Sequence, residues 1–305
     1  MTLAVLCPGQ GAQHPAMLAR ALATQAGAAV IDAASSALGE DPRAWIDEGI
    51  DLHANRIAQP LVCIAALATW TGLRDRLPAP AALAGYSVGE LACYGLAGAL
   101  DAGSLALLAR QRAAAMDAAA LGAPGNLIAV RGRSQASLSR LLPNYGAYIA
   151  IVNGDDAFVI GAPANAVGPL QAELQRLGAQ VTHLRVGVAS HTPLLSAALP
   201  GFAQALAASP LRAPAVPVVA SVTGMIVTTR EEAVATLAQQ LDRTVQWALC
   251  LDTLYERGCR VFLELGPGTA LSRMVRERFE DAQARSVEEF RDPLAAAVWT
   301  VDRLS

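Results

Sequence analysis

At 305 residues the chain is about twice the usual domain length of roughly 150, which suits one large domain with an insertion or two ordinary ones. Hydrophobic residues make up 53% of it and charged residues only 16%, so a chain kept disordered by its own charge is excluded. All 23 basic residues are arginine and the net charge is −3. Without lysine there is no Schiff-base chemistry and no Walker-type phosphate lysine, and an arginine-only set gives no broad basic stripe for nucleic acid.

The opening MTLAVLCPG enters a strand-like run with no basic residues ahead of it, so no signal peptide is expected. LAVLC reads as a strand before a glycine turn, followed by a helix through 60–74 and then by ALAGYS, a strand leading into another helix. Strands alternating with Ala/Leu-rich helices predict a parallel sheet covered on both faces. From Gly125 the rhythm changes. NLIAVRG reads as a strand, SQASLSRLL as a short helix, AYIAIVN and DAFVIGA as strands, NAVGPLQAELQRLG as a helix and QVTHLRV as a last strand. This βαββαβ order predicts a ferredoxin-like unit over 124–188. The α/β rhythm then returns with a helix through 193–208, strand VPVVAS, helices through 231–257, strand RVFLELG and a helix from Thr269. The predicted architecture is a large α/β-hydrolase-like domain with a parallel sheet, built from 1–123 and 189–305 and interrupted by a small ferredoxin-like domain. EEFRDPLAAAVWTVDRL predicts a docking helix with Trp299 on its apolar face.

The longest uncharged stretch, 186–211, is broken by His191, Pro193 and Pro200, which is poor material for a membrane span. Five scattered cysteines without a C-x-x-C pair indicate neither a disulfide framework nor a zinc site. A cytoplasmic protein without a bound metal is expected.

The strongest chemical signal is Gly85-Tyr86-Ser87-Val88-Gly89, preceded by apolar AALA and followed by ELACYGLAGAL. This is a G-x-S-x-G nucleophile elbow in the context it requires, strand then tight turn then helix. The glycines permit the strained turn, and Ser87 is lifted to a helix N-terminus, where free N–H groups can stabilise an oxyanion. A nucleophilic serine needs a base, and the four histidines are His14, His53, His183 and His191. His191 lies where the inserted domain returns to the large one, the kind of junction that catalytic residues favour. The residues alone prefer it without excluding the other three. PGQGAQ and LGPGTAL look like phosphate-cradling loops, yet neither completes G-x-G-x-x-G, and they are read as turns beside the active site.

CPGQGAQ, GYSVGE, ARQRAAAM, VASHTPLL, TVQW and FLELGPG occur in this order between about residues 4 and 290. In these motifs the chain resembles the malonyl-CoA:acyl carrier protein transacylases and related acyltransferase domains. The resemblance implies a malonyl group taken from malonyl-CoA onto Ser87 and passed to the phosphopantetheine-type thiol of an acyl carrier protein. It implies His191 as general base, oriented by the backbone carbonyl of Gln246, and the backbone N–H groups of Gln10 and Val88 as oxyanion hole. Arg112 would pair with the malonyl carboxylate; without the resemblance it reads as a solvated helix arginine beside Arg110. No cofactor beyond the coenzyme A thioester substrate is implied. Tyr86 within GYSVGE favours the malonyl-transferring (epsilon) subunit of bacterial malonate decarboxylase, with that complex's other subunits as partners, over a fatty-acid or polyketide transacylase. Two other classes share the elbow or the fold. A serine hydrolase or thioesterase would add an acidic triad member, and the candidates between Ser87 and His191, Asp155 and Asp156, fall in the inserted domain, a poor place for that role. A non-catalytic docking subunit would not need Ser87, Arg112 and His191 together.

Overall fold

A computed structural model describes all of residues 1–305. Ten strands are present: β1 (Thr2–Cys7), β2 (Ala82–Gly85), β3 (Gly125–Arg131), β4 (Tyr148–Val152), β5 (Ala157–Pro163), β6 (Gln180–His183), β7 (Val218–Val219), β8 (Ile226–Val227), β9 (Cys259–Glu264) and β10 (Gln283–Ser286). They form a six-stranded sheet of order β10-β9-β1-β2-β7-β8 and a four-stranded sheet of order β4-β5-β3-β6. The first is parallel except for β8, which runs antiparallel to β7. Its central strands β1 and β2 have no exposed position beyond Thr2, because helices cover both faces. The α/β class with an inserted antiparallel unit is therefore the observed fold.

The four-stranded sheet is antiparallel throughout, with its strands in the spatial order second, third, first, fourth and with helices Gln135–Leu141 and Val167–Arg176 packed on it. Ile128, Phe158, Ile160, Leu170 and Leu174 fill a core separate from that of the large sheet. The two layers are stitched together at one seam. Val152 N–H donates to the Val245 carbonyl and Val245 N–H donates to the Ala150 carbonyl, both at 2.9 Å. The Thr244 hydroxyl donates to the Ile149 carbonyl at 2.7 Å. The edge of the small sheet thus continues into a large-domain segment, 240–247, which also reaches the catalytic elbow.

Several elements depart from the sequence reading. VPVVAS contributes only two residues to a strand, and the short strands β8 and β10 were not anticipated. The helix placed at 60–74 begins at Asn55 and carries Pro60 inside it. It is long and apolar enough to cross a membrane by composition, yet 89% of its apolar window is buried in the protein interior. The C-terminal helix Pro293–Leu304 buries Pro293, Ala296, Ala297 and Thr300, and its half-buried Trp299 packs against the same core beside Phe290, as expected of its apolar face.

The elbow depends on two close backbone approaches. A Cβ on Gly85 would collide with the backbone of Gly89 and Glu90, and one on Gly89 with the Cys7 carbonyl and, at 2.6 Å, the Pro8 carbonyl. These obstacles are main chain and cannot rotate aside. Gly89→Ala is expected to destabilise the protein by about 1–3 kcal/mol, as overpacking does. Urea unfolding checks this; an unchanged midpoint would mean that the end of β1 yields freely.

Candidate active site

Ser87 sits between β2 and helix Val88–Leu96 with φ 56° and ψ −121°, a conformation that L residues rarely adopt. Such strain persists only where the surroundings over-determine it. Here Tyr86 N–H donates to the Cys7 carbonyl at 2.9 Å and Glu90 N–H to the Ser87 carbonyl at 3.0 Å, pinning the turn from both sides. His191 is the only other non-glycine residue at positive φ, 62°. Its Nε2 lies 2.8 Å from Ser87 Oγ. Of the four histidines it alone reaches the elbow. His14 pairs with Glu288 at 2.7 Å, His183 bonds Gln171 and His53 lies in a polar surface recess.

The ring is oriented by Gln240, not by Gln246. His191 Nδ1–H donates to the Gln240 carbonyl at 2.6 Å, and His191 backbone N–H donates to the Leu241 carbonyl at 2.9 Å. Gln246 lies further along the same segment. Its N–H donates to the Ser221 carbonyl, and it lines a separate groove of about 700 Å³ between the two sheets together with Arg243 and Tyr148. TVQW marks the correct segment but the wrong residue, because the chain must run on from the histidine contact to the seam with β4 before that motif begins. Donation from Nδ1 to a carbonyl leaves Nε2 as the acceptor facing Ser87. Burial, and after it the positive charge of Arg112, hold the imidazole pKa down to about 3, so the ring is neutral and ready to take a proton. Asp155 and Asp156 lie exposed in the turn between β4 and β5, so the position of a triad acid is taken by a backbone carbonyl.

Neither Gln10 N–H nor Val88 N–H is bonded to a protein acceptor. Val88 opens the elbow helix, and Gln10 borders the Ser87 cavity, its side chain fixed by donation to Asn55 Oδ1 at 2.9 Å. That cavity, about 50 Å³, is closed by Tyr86, Met116, Ile151, Leu184 and Ser190. The Tyr86 ring packs edge-on against Trp247, with centroids 5.3 Å apart. Glu288 ties the CPGQGAQ and LGPG turns together, accepting from His14, which follows the first, and from Gly268 N–H in the second.

Arg112 is buried, 1% exposed, and has no acidic partner. Nη1 donates to Gln59 Oε1 at 2.8 Å and to Met116 Sδ at 3.3 Å, and Nη2 donates to Gln240 Oε1 at 2.8 Å. Arg110, two residues earlier, is the solvated arginine of this helix and pairs with Glu40. Burial lowers the Arg112 pKa to about 10, which leaves it charged at neutral pH. Three of the five guanidinium donors are used, so one N–H on Nη2 and that on Nε remain, adjacent donors that suit a carboxylate's two oxygens.

Sequence reasoning missed Gln240, Gln59, Glu90 and Ser221. Gln240 touches three parts of the site: its carbonyl holds His191, its Oε1 holds Arg112 and its Nε2 donates to the Ser87 carbonyl at 3.1 Å. A glutamine inside QQLDR has no chemistry of its own to mark it, whereas Glu90, an acid in the apolar run after the elbow, was visible and unassigned.

The model of the acyl transferase domain family matches residues 5–292. A malonyl CoA-acyl carrier protein transacylase of Mycobacterium bovis is 32% identical over 294 residues, which cover 94% of this chain and 96% of the relative. The crystal structure of FabD from Acinetobacter baumannii superimposes with a TM-score of 0.93 at 27% identity, covering 99% of each chain. A malonyl-transacylase solved in complex with its type II polyketide synthase acyl carrier protein gives a TM-score of 0.92 at 26% identity, covering 99% of this chain and all of that one. With nearly the whole length matched and a serine and histidine within hydrogen-bonding distance at the elbow, this chain belongs to the acyl transferase domain family.

Proposed function

We propose that the protein transfers a malonyl group from malonyl-CoA, through an ester on Ser87, to the phosphopantetheine-type thiol of an acyl carrier protein. The observation that carries this reading is Arg112, a buried cation with only neutral partners beside the serine and histidine. Burying a charge without a counter-ion costs several kcal/mol, and a substrate carboxylate supplies the missing partner.

His191 Nε2 takes the Ser87 proton as Oγ attacks the thioester carbonyl. The resulting oxyanion is held by the N–H groups of Gln10 and Val88. Collapse expels the coenzyme A sulfur, which receives the proton from His191, and leaves malonyl-Ser87. The carrier thiol then gives its proton to His191, its sulfur attacks the ester, and Ser87 recovers the proton as the malonyl thioester departs. Ester and thioester are close enough in energy that the steps run both ways, so the dyad needs neither a third acid nor a metal.

The relatives' names, malonyl CoA-acyl carrier protein transacylase and malonyl-transacylase of a polyketide carrier, support the fatty-acid or polyketide reading over the malonate decarboxylase subunit that Tyr86 favoured. A hydrolase is disfavoured by the carbonyl, rather than carboxylate, behind His191.

His191→Ala is expected to slow Ser87 acylation on the order of 10²–10⁴-fold with the fold intact, read by rapid-quench labelling. Wild-type rates in that variant would remove His191 as base. The kcat/KM for malonyl-N-acetylcysteamine, which carries no phosphate, should stay level from about pH 8 down to about pH 5, because a base depressed to about 3 loses its neutral form only below that range. An inflection near the ordinary histidine value of about 6.5 would contradict the buried, neutral ring. Arg112→Ala should depress malonyl transfer by at least about tenfold, the worth of a charge-assisted bond, and leave acetyl transfer unchanged or raised. An unchanged ratio of the two kcat/KM values would detach Arg112 from substrate recognition.

A further inference from the structure

Glu90 is fully buried three residues after Ser87, and the reaction above does not use it. Its Oε2 accepts from Ser221 Oγ at 2.5 Å, from Ser221 N–H at 3.0 Å and from Gln240 Nε2 at 2.6 Å, whereas its Oε1 has no partner. Gln240 Nε2 also lies 3.1 Å from Ser221 Oγ. The other end of the same amide, Oε1, accepts from Arg112 Nη2 at 2.8 Å.

We infer that Glu90 is a positioning residue for acyl selectivity: it fixes which end of the Gln240 amide faces Arg112, and so sets the guanidinium to receive a carboxylate. A primary amide has one donating and one accepting end. An acceptor oxygen at Glu90 requires Nε2 on its side, which leaves Oε1 for Arg112. Turned over, the amide would set its N–H groups against the guanidinium and its oxygen against Glu90 Oε2 and the Ser87 carbonyl, both acceptors in the observed arrangement, in a buried site where unmade hydrogen bonds cost most. Gln59 fixes Nη1 from the opposite side, so the Glu90–Gln240 pair and Gln59 together hold the guanidinium plane. The two donors left free then keep one direction before substrate arrives, which lowers the ordering cost of binding the acid. Acetyl groups gain nothing from that arrangement. The selectivity consequence rests on the malonyl-transfer reading.

The test compares kcat/KM for malonyl-CoA and acetyl-CoA in the whole protein, wild type, Glu90→Met and Glu90→Gln, with circular dichroism and a thermal melt for each. Glu90→Met keeps the length but removes the shortest of the three contacts that hold Gln240 Nε2, leaving the longer ones to the Ser87 carbonyl and Ser221 Oγ, and the malonyl-to-acetyl ratio should fall about tenfold, the lower end of the worth of one hydrogen bond to a charged group. Glu90→Gln restores a carbonyl acceptor and should keep the ratio within about fivefold of wild type, since the lost increment is at most about that of one ordinary hydrogen bond. Equal losses for both thioesters in folded Glu90→Met would reduce Glu90 to a structural residue and overturn the inference, as would a ratio in Glu90→Gln as low as in Glu90→Met. If Glu90→Met does not fold, Ser221→Ala, which removes a donor that anchors Glu90, should lower the ratio about two- to fivefold; an unmoved ratio there overturns the inference as well. Wild-type protein that fails to take malonyl from malonyl-CoA would instead overturn the malonyl-transfer reading, a distinguishable outcome.

Discussion

The site is organised around one buried charge that has no ion-pair contact. Arg112 is buried, held by two glutamine oxygens and a thioether, with no carboxylate in contact. A buried cation in that state is costly, and the surroundings are arranged so that it stays charged and cannot drift. The same charge acts on the neighbouring imidazole: after burial, it is the main cause that keeps His191 neutral. In the proposed reaction one guanidinium thus serves recognition by its shape and proton transfer by its field.

Its partner Gln240 joins the parts that must agree. The residue sits at the start of the segment that runs to the seam with the small sheet, and through its carbonyl, its amide oxygen and its amide nitrogen it meets the base, the arginine and the elbow. The small domain closes the cavity through Leu127, Ile151 and Leu184 while being anchored to that same segment. Ser87 and His191, at opposite ends of the hydrogen bond, are also the two non-glycine residues at positive φ. Strain of about 1–3 kcal/mol at each is the order expected for such positions, and the dense bonding around them offsets it.

The alternation of strands and helices, the βαββαβ interruption and the elbow were legible in the sequence because each rests on local periodicity or on a turn that only glycine permits. Ser87 and His191 could be found for the same reason, one from its flanks and the other from scarcity, there being four histidines to choose from. Arg112 was distinguishable from Arg110 only through resemblance, since helix position does not say which arginine points inward. Gln240 and Gln59 were not legible: an amide acquires its role from groups more than fifty residues away, and no spacing rule reaches that far. The misplacement of the histidine's acceptor onto Gln246 has the same origin, a backbone contact whose register only the folded chain specifies. β7 and β8, two residues each, are too short to leave a periodic trace.

The most direct test of the central claim is a crystal structure of the malonyl-enzyme, trapped on Ser87 in the absence of a carrier thiol. The malonyl carboxylate is expected to lie on Arg112 with two parallel hydrogen bonds, from Nε and Nη2, while Gln240 Oε1 keeps its bond to the same guanidinium. A malonyl ester whose carboxylate points to solvent, with Arg112 still held only by Gln59, Met116 and Gln240, would contradict it.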